Sequence, residues 1–318
     1  MLRPIVAAAQ RGSAAEGAEG IKSSGDSRWE QACILGCRMT AELDNWQVDR
    51  AVLDQLPTAS HVDVGESGRQ ITLTVAGVGS IAVSASGCVT SAADDAGYEK
   101  LMAVGEHWAW GQWLALNGVA AFNGVTLARD GVGVAIFGPP RVGMSFTALA
   151  LASRGWHLVA DGICPLSVVD GELIATPGRP FLELDGELAA SLVPPAYPFE
   201  LADTPRERWR VELPITSANR IDLIVFLSPT NSRNEAIVIP ASTNDADESL
   251  KLASLSVAGA AIRFANDELK DGLGSFCEEA VAAARCVTAL VPSNEKEVRF
   301  LPREVAELIE DSLASSNE

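Results

Sequence analysis

The residues with chemical potential lie between Gly138 and Asp161. Gly138 and Gly143 have the spacing G-x-x-x-x-G, and Ser145 follows two positions later. The full loop reads Gly138, Pro139, Pro140, Arg141, Val142, Gly143, Met144, Ser145, Phe146. Glycines at that spacing let successive backbone amides turn toward one point, and the start of a helix adds partial positive charge there. The product is an anion cradle, with the Ser145 hydroxyl offered to a magnesium ion. In such loops a lysine before the serine spans the outer phosphates. Here that position is Met144, which has similar length but neither charge nor donor. By analogy with the removal of one oxyanion donor, the loss costs about 2.7–4 kcal/mol of transition-state stabilisation. Pro139 and Pro140 take away two more amide donors. Arg141 is the cation inside the loop, and it either folds onto a phosphate or faces solvent. Asp161 has two readings of equal standing: a carboxylate beside the metal or the attacking hydroxyl, or a turn or cap residue.

These groups need elements to hold them. Val134 to Phe137 is a short apolar run that enters the loop. Phe146, Leu149 and Ala150 repeat at helical spacing, and Gly155 is placed to end that helix. A second apolar run, His157 to Ala160, delivers Asp161 at its end, with His157 expected to pack rather than react. Strand, glycine loop, helix, strand, acid is the order of a P-loop nucleotide site. Further out, Gln70 to Val75, Ser80 to Ser84 and Cys88 to Thr90 alternate in the manner of a small antiparallel meander. Tyr98 to Asn117 has a helical pattern in which Trp108, Trp110 and Trp113 are expected to be helix core. Val119 to Phe122 and Val125 to Leu127 look like strands, and Asp130-Gly131 is a hairpin signal.

Beyond the aspartate, Leu166 to Val169 and Leu173-Ile174 flank the turn Asp170-Gly171. A proline-rich stretch follows, with a short helix expected at Asp185 to Leu192. Arg206, Arg208 and Arg210 are the dense basic cluster of an otherwise acidic chain. Ile221 to Leu227 reads as the best buried strand of this half, and Ile237 to Ile239 as a short one. Helices are expected at Glu248 to Leu255, Gly274 to Arg285 and Arg303 to Leu313, and strands at Val287 to Leu290 and Val298 to Leu301. The resulting class is α/β with α+β character. Its parts are a tail over 1–26, a β-rich region plus helix over 27–117, a P-loop domain over 118–313 and a frayed end at 314–318.

Composition narrows the partners. A formal charge of −18 over 318 residues repels nucleic-acid phosphates, so no nucleic-acid role is expected. The 6 cysteines form no C-x-x-C pair, and the 3 histidines are scattered, so no metal cluster is expected and the thiols are read as reduced. No apolar run reaches the about 18 residues of a membrane span. The expected location is the cytoplasm.

The quoted residues resemble a known family. HPr kinase/phosphorylase and the HPr kinase-like proteins of peptide-maturation clusters carry a short P-loop, a T-A-L-x-L helix, R-G and L-V-A-D-D. This chain has GPPRVGMS, then TALAL (Thr147 to Leu151), RGW (Arg154 to Trp156) and LVADG (Leu158 to Gly162) at the same spacing. The resemblance implies an α/β fold around a mixed sheet. It implies a serine kinase using ATP and magnesium on a small protein or precursor peptide, and assembly into a homo-oligomer. It matches Gly138 and Gly143 to the phosphate loop, Ser145 to the magnesium-side hydroxyl and Asp161 to the catalytic base. It also marks departures. Met144 stands for the lysine, Gly162 for a second aspartate, Asn123 for an upstream histidine, and Phe146 for a polar residue after the serine. The expectation is a pseudokinase with a binding, scaffolding or regulatory role. The alternatives are a divergent serine kinase in which Arg141 or an arginine of Arg206 to Arg210 replaces the lysine, and a nucleotide sensor without turnover.

Overall fold

A computed structural model describes residues 61–64, 70–75, 77–139, 142–179, 181–185, 199–202, 208–231, 235–264, 267–292 and 301–315. The expected N-terminal tail, the segment Arg28 to Met39, Pro140 and Arg141 lie outside these residues.

The described chain starts with four strands, β1 (His61–Val64), β2 (Gln70–Val75), β3 (Gly79–Ser84) and β4 (Gly87–Ala92), in a sheet of order β1-β2-β3-β4. All neighbours are antiparallel, which is the expected meander. Helix α1 (Asp95–Leu116) follows, capped by the Asp94 carboxylate, which accepts the Gly97 amide at 2.7 Å. Its tryptophans are packing residues, as expected. Trp108 joins Ile71, Leu73 and Ile81 of the meander, whereas Trp110 packs on Ala121 and Ile163 of the large sheet. The helix is therefore apolar on two sides because it is a spacer between two sheets.

The large sheet carries the site. Its strands are β5 (Ala120–Arg129), β6 (Val132–Phe137), β7 (His157–Val169), β8 (Glu172–Ala175), β12 (Asn219–Arg220), β13 (Leu223–Thr230), β14 (Ile237–Pro240) and β15 (Arg285–Pro292). The order is β12-β8-β7-β5-β6-β13-β15-β14. β13 runs parallel to both β6 and β15, and the other pairs are antiparallel, so the sheet is mixed. Both expected hairpins form. Asp130 and Gly131 have φ of 53° and 82°, and Asp170 and Gly171 have 54° and 81°, the all-positive pattern of a two-residue turn that matches strand twist.

Helices cover both faces of this sheet, so β6 and the first half of β13 are apolar on both faces. On β6, Val134 and Ile136 point to one face and Ala135 and Phe137 to the other. On β13, Leu223, Val225 and Leu227 take the first face, and Ile224 and Phe226 the second. The first face is covered by α2 (Met144–Ala152), by α5 (Leu301–Ala314) and by a small sheet of order β10-β11-β9. That sheet consists of β9 (Phe181–Asp185), β10 (Phe199–Ala202) and β11 (Arg208–Glu212). The second face is covered by α3 (Thr243–Phe264) and α4 (Asp267–Ala283).

Several expectations change. The two strands expected around Asn123 are one strand, β5, because Asn123 and Gly124 pair across to Ile163 and Gly162 without a break. Asp185 ends a strand rather than opening a helix, and the remainder of that expected helix lies outside the described residues. Leu301 opens α5, with Pro302 tolerated in its first turn, and the rest of the strand expected there is not described. His157 is exposed rather than packed, at the outer end of β7. Among the described residues no helix is long and apolar enough to cross a membrane.

The second face is held by stacked rings: Phe122 lies 5.7 Å from Phe137 and 5.7 Å from Phe276 of α4, by ring centroids. Phe122→Ala leaves a cavity that these rings cannot fill. The expected loss is about 3–5 kcal/mol, read as a lower urea midpoint at unchanged m-value.

Candidate functional site

β6 ends at Phe137 and the chain turns at once into the glycine loop. A Cβ on Gly138 would come within 2.8 Å of the Leu227 carbonyl oxygen, so only glycine lets the loop pass β13 this closely. At the other end Gly143 has φ of 103° and caps α2 from the left-handed region. The Thr147 amide makes the first helical bond, to the Gly143 carbonyl at 2.9 Å. No side chain caps the helix start, and no acidic residue lies in its first turn. The first amides of α2 are thus left to water or to an anion.

Met144 and Phe146 are half-buried and pack against the apolar core on this face, beside Val142. Ser145 points elsewhere. Its hydroxyl donates to Asp161 Oδ1 at 3.3 Å. The structure therefore brings together Ser145 and Asp161, two residues singled out from the sequence.

Asp161 does not end a strand, as expected; it lies inside β7, whose 13 residues continue to Val169. A bulge puts it in place. Thr126 pairs with Ala160 but Leu127 pairs with Leu158, which leaves Val159 as an extra residue. Strand side chains alternate, so one inserted residue exchanges the faces beyond it. Leu158 faces the α2 side, Val159 and Ala160 both face the other side, and Asp161 returns to the α2 side. Without the bulge the carboxyl group would point into the apolar layer under α3 and α4. Gly162, at φ of 77°, follows directly.

The second oxygen of Asp161 is held by β9. Glu183 donates its backbone amide to Asp161 Oδ2 at 3.2 Å. Glu183 itself pairs with Arg179 at 3.2 Å and lies 3.7 Å from the Nε of Arg210. Both guanidinium groups also lie over the Phe181 ring, at 5.8 and 5.0 Å. Arg179, Glu183 and the small sheet had escaped the reading of the sequence. The signal was present: Phe181 to Asp185 (FLELD) and Arg208 to Glu212 (RWRVE) alternate as strands do. Arg208 and Arg210 both lie on β11, Arg210 beside Glu183, and Arg206 lies outside the described residues.

Asp161 is only 6% exposed. Burial pushes its pKa from 3.8 up to about 7. The Glu183 amide opposes that rise, the Glu183 carboxylate adds to it, and Arg179 and the Ser145 hydroxyl pull the other way. A carboxyl group poised near neutrality, next to a hydroxyl and an uncapped helix start, can accept a proton or ligate a cation. Asn123 stands on β5 opposite Ile163, half-buried and without charge. Burial raises the Cys164 thiol well above its ordinary value and the Cys277 thiol to about 12, so neither is a nucleophile. Among the described residues no group of three His, Cys, Asp or Glu side chains could hold a metal.

Fold and site together define an α/β protein with a glycine loop and a buried hydroxyl–carboxylate pair. No known family description matches the chain, and no curated protein matches it. Among solved structures it is similar to the Hpr(Ser) kinase/phosphatase from Coxiella burnetii, at 14% identity and a TM-score of 0.33. The match covers 62% of this chain and 99% of that one. An overlap this loose decides nothing about fold or function.

The raised pKa of Asp161 has a sign that can be checked. The native state favours the protonated form, so the stability it contributes is fully present below about pH 4. It is lost as pH rises through the folded value of about 7. Asp161→Asn keeps a neutral group at all pH values. The wild type is expected to lose stability between about pH 4 and 7 relative to this variant, in parallel urea titrations.

Proposed function

We propose that this chain is a P-loop protein of the HPr kinase-like type that works as a pseudokinase. It holds a phosphate-bearing ligand at the glycine loop and acts by binding and regulation, with serine phosphotransfer lost or strongly reduced. One observation supports this most directly. The Ser145 hydroxyl meets the Asp161 carboxyl group at 3.3 Å beside the uncapped start of α2, while Met144 and Phe146 are turned onto the apolar core.

The residues fit ATP and magnesium on one side only. Ser145 and Asp161 offer the hard oxygen ligands that magnesium prefers. The uncapped amides of α2 offer donors to phosphate. The helix start supplies no side-chain cation, because Met144 occupies that position. When bound, magnesium neutralises phosphate charge. The chain's own residues orient that charge through Ser145, keep the Asp161 carboxyl group in a dry setting and accept a proton there. Gly162 and Asn123 add no charge there. Ground-state binding survives this arrangement better than stabilisation of transferring charge does. The partner is a small protein or precursor peptide, and the molecule is expected to self-associate.

A second reading is favoured by Arg179, whose charge acts on Asp161. In a divergent serine kinase this guanidinium would take over the task of the lysine, with Asp161 as the base.

Calorimetric titration with ATP and magnesium, followed by a phosphotransfer assay on small proteins and precursor peptides, separates the two. The pseudokinase binds ATP only with magnesium and transfers no phosphate. Turnover that is abolished in Asp161→Asn establishes the kinase instead. Met144→Lys is expected to tighten ATP binding by about 1.5–3 kcal/mol, the worth of a charge-assisted hydrogen bond, while transfer stays absent.

A further inference from the structure

The R-G-W stretch after α2 has no task in the site, yet both of its large residues are tied to one carboxylate on the last helix. Glu310 Oε1 accepts Arg129 Nη1 at 2.6 Å and Trp156 Nε1 at 3.0 Å, and Oε2 accepts Arg154 Nε at 2.6 Å. Arg154 Nη1 also donates to Glu307 Oε1 at 3.1 Å. Arg129 donates to the Arg154 carbonyl at 3.0 Å, and its guanidinium lies 4.8 Å from the Trp156 ring centroid. Burial works against the charge on Glu310, but the bonds from Trp156, Arg154 and Arg129 outweigh it and hold its pKa below the ordinary value. The carboxylate is thus a fixed anionic hub. It borders a cleft of about 500 Å³ that also includes Arg220 and Arg285, so it is reachable from solvent.

What this hub grips is the exit of α2. That helix has 9 residues, too few to hold an orientation by its own hydrogen bonds. Its Ala148, Leu149, Leu151 and Ala152 share a core with Val305, Ala306 and Ile309 of α5. Apolar contacts of this kind set distance but permit sliding. The bonds to Glu310 are directional, and they act at one end of a short rigid rod. Ser145 stands near the other end, about 10 Å from the last helical residue at 1.5 Å per residue.

We propose that Glu310 is a positioning residue for the glycine loop, setting the tilt of α2 through Arg154 and Trp156 and with it the approach of Ser145 to Asp161. This rests on the reading of that pair as the metal side of a phosphate site. It makes the last helix a control handle: whatever displaces α5 changes the loop.

The test uses full-length protein carrying ¹³C-methyl methionine, with the Met144 signal assigned from Met144→Leu. Three variants are compared: Glu310→Gln, Glu310→Ala and, on an exposed position of the same helix, Glu304→Gln. The Met144 methyl signal is expected to move in both Glu310 variants, further in Glu310→Ala, and to stay in place in Glu304→Gln. Affinity for magnesium pyrophosphate is expected to fall at least fivefold in Glu310→Gln and to be unchanged in Glu304→Gln. A folded Glu310→Gln protein with an unmoved Met144 signal overturns the inference, and so does an equal shift in Glu304→Gln. If the wild type binds neither pyrophosphate nor ATP, the phosphate-site reading fails, and the methyl signal still decides the role of Glu310.

Discussion

A carboxyl group on a central strand, almost closed to water, constrains everything around it. Asp161 would be very costly if left bare, since a buried charge without partners shifts its pKa or destabilises the fold. Both oxygens are therefore met, one by the Ser145 hydroxyl and one by the Glu183 amide. Each partner brings an element with it. Ser145 fixes the first turn of α2 against β7, and Glu183 fixes the open edge of β9 against the same strand. The bulge at Val159 is needed only to turn this carboxyl group to the face where those two elements lie.

The glycine loop follows from the same geometry. β6 lies between β5 and β13 and is buried on both faces, so it must leave the sheet through a passage that side chains would block. Gly138 makes the passage and Gly143 makes the turn into α2. The helix start then lies at the end of a buried strand with its amides uncapped. Ridges of α2 and α5 share one apolar layer beneath, and Glu310 closes the far end with directional bonds. Loop, carboxyl group and last helix thus form a continuous mechanical unit, although they are far apart in sequence.

Local patterns showed this unit in part. Turns of Asp-Gly type, the alternation of β2 and β3 and the apolar runs of β6 and β13 are local signals, and they placed most of the large sheet. Ser145 and Asp161 came from spacing alone. Three things were hidden for one reason. The bulge at Val159 looks like any apolar residue in an apolar run. Glu183 contributes through its backbone amide, which has no letter of its own. Glu310 lies about half the chain away from the arginines it binds. Each depends on a contact between distant segments, and period or composition cannot carry such a contact. β9 and β11 differ, because their alternation was legible and was masked by the prolines and charges beside them.

A buried polar pair can exist simply because its members satisfy each other, so Ser145 and Asp161 are not by themselves signs of chemistry. Energetics separates the two cases. Apolar residues of similar size usually replace a buried polar or ionic group at no cost, or with a gain. Around Asp161 the fold already supplies such a setting, in Val125, Leu182 and Leu184. Met144 and Phe146 show the same preference, since both lie where the loop could have carried polar groups and both rest on the core instead. Stability alone would favour an apolar residue at position 161 as well. The carboxyl group is kept at a pKa near 7, with two bonds, a compensating Arg179 and a bulge all required to accommodate it. Packing has no need of that combination. A ligand that carries a cation or gives up a proton at this point does. The start of α2 thus has no side-chain cation at Met144, while Asp161 sets a carboxyl group against it through Ser145.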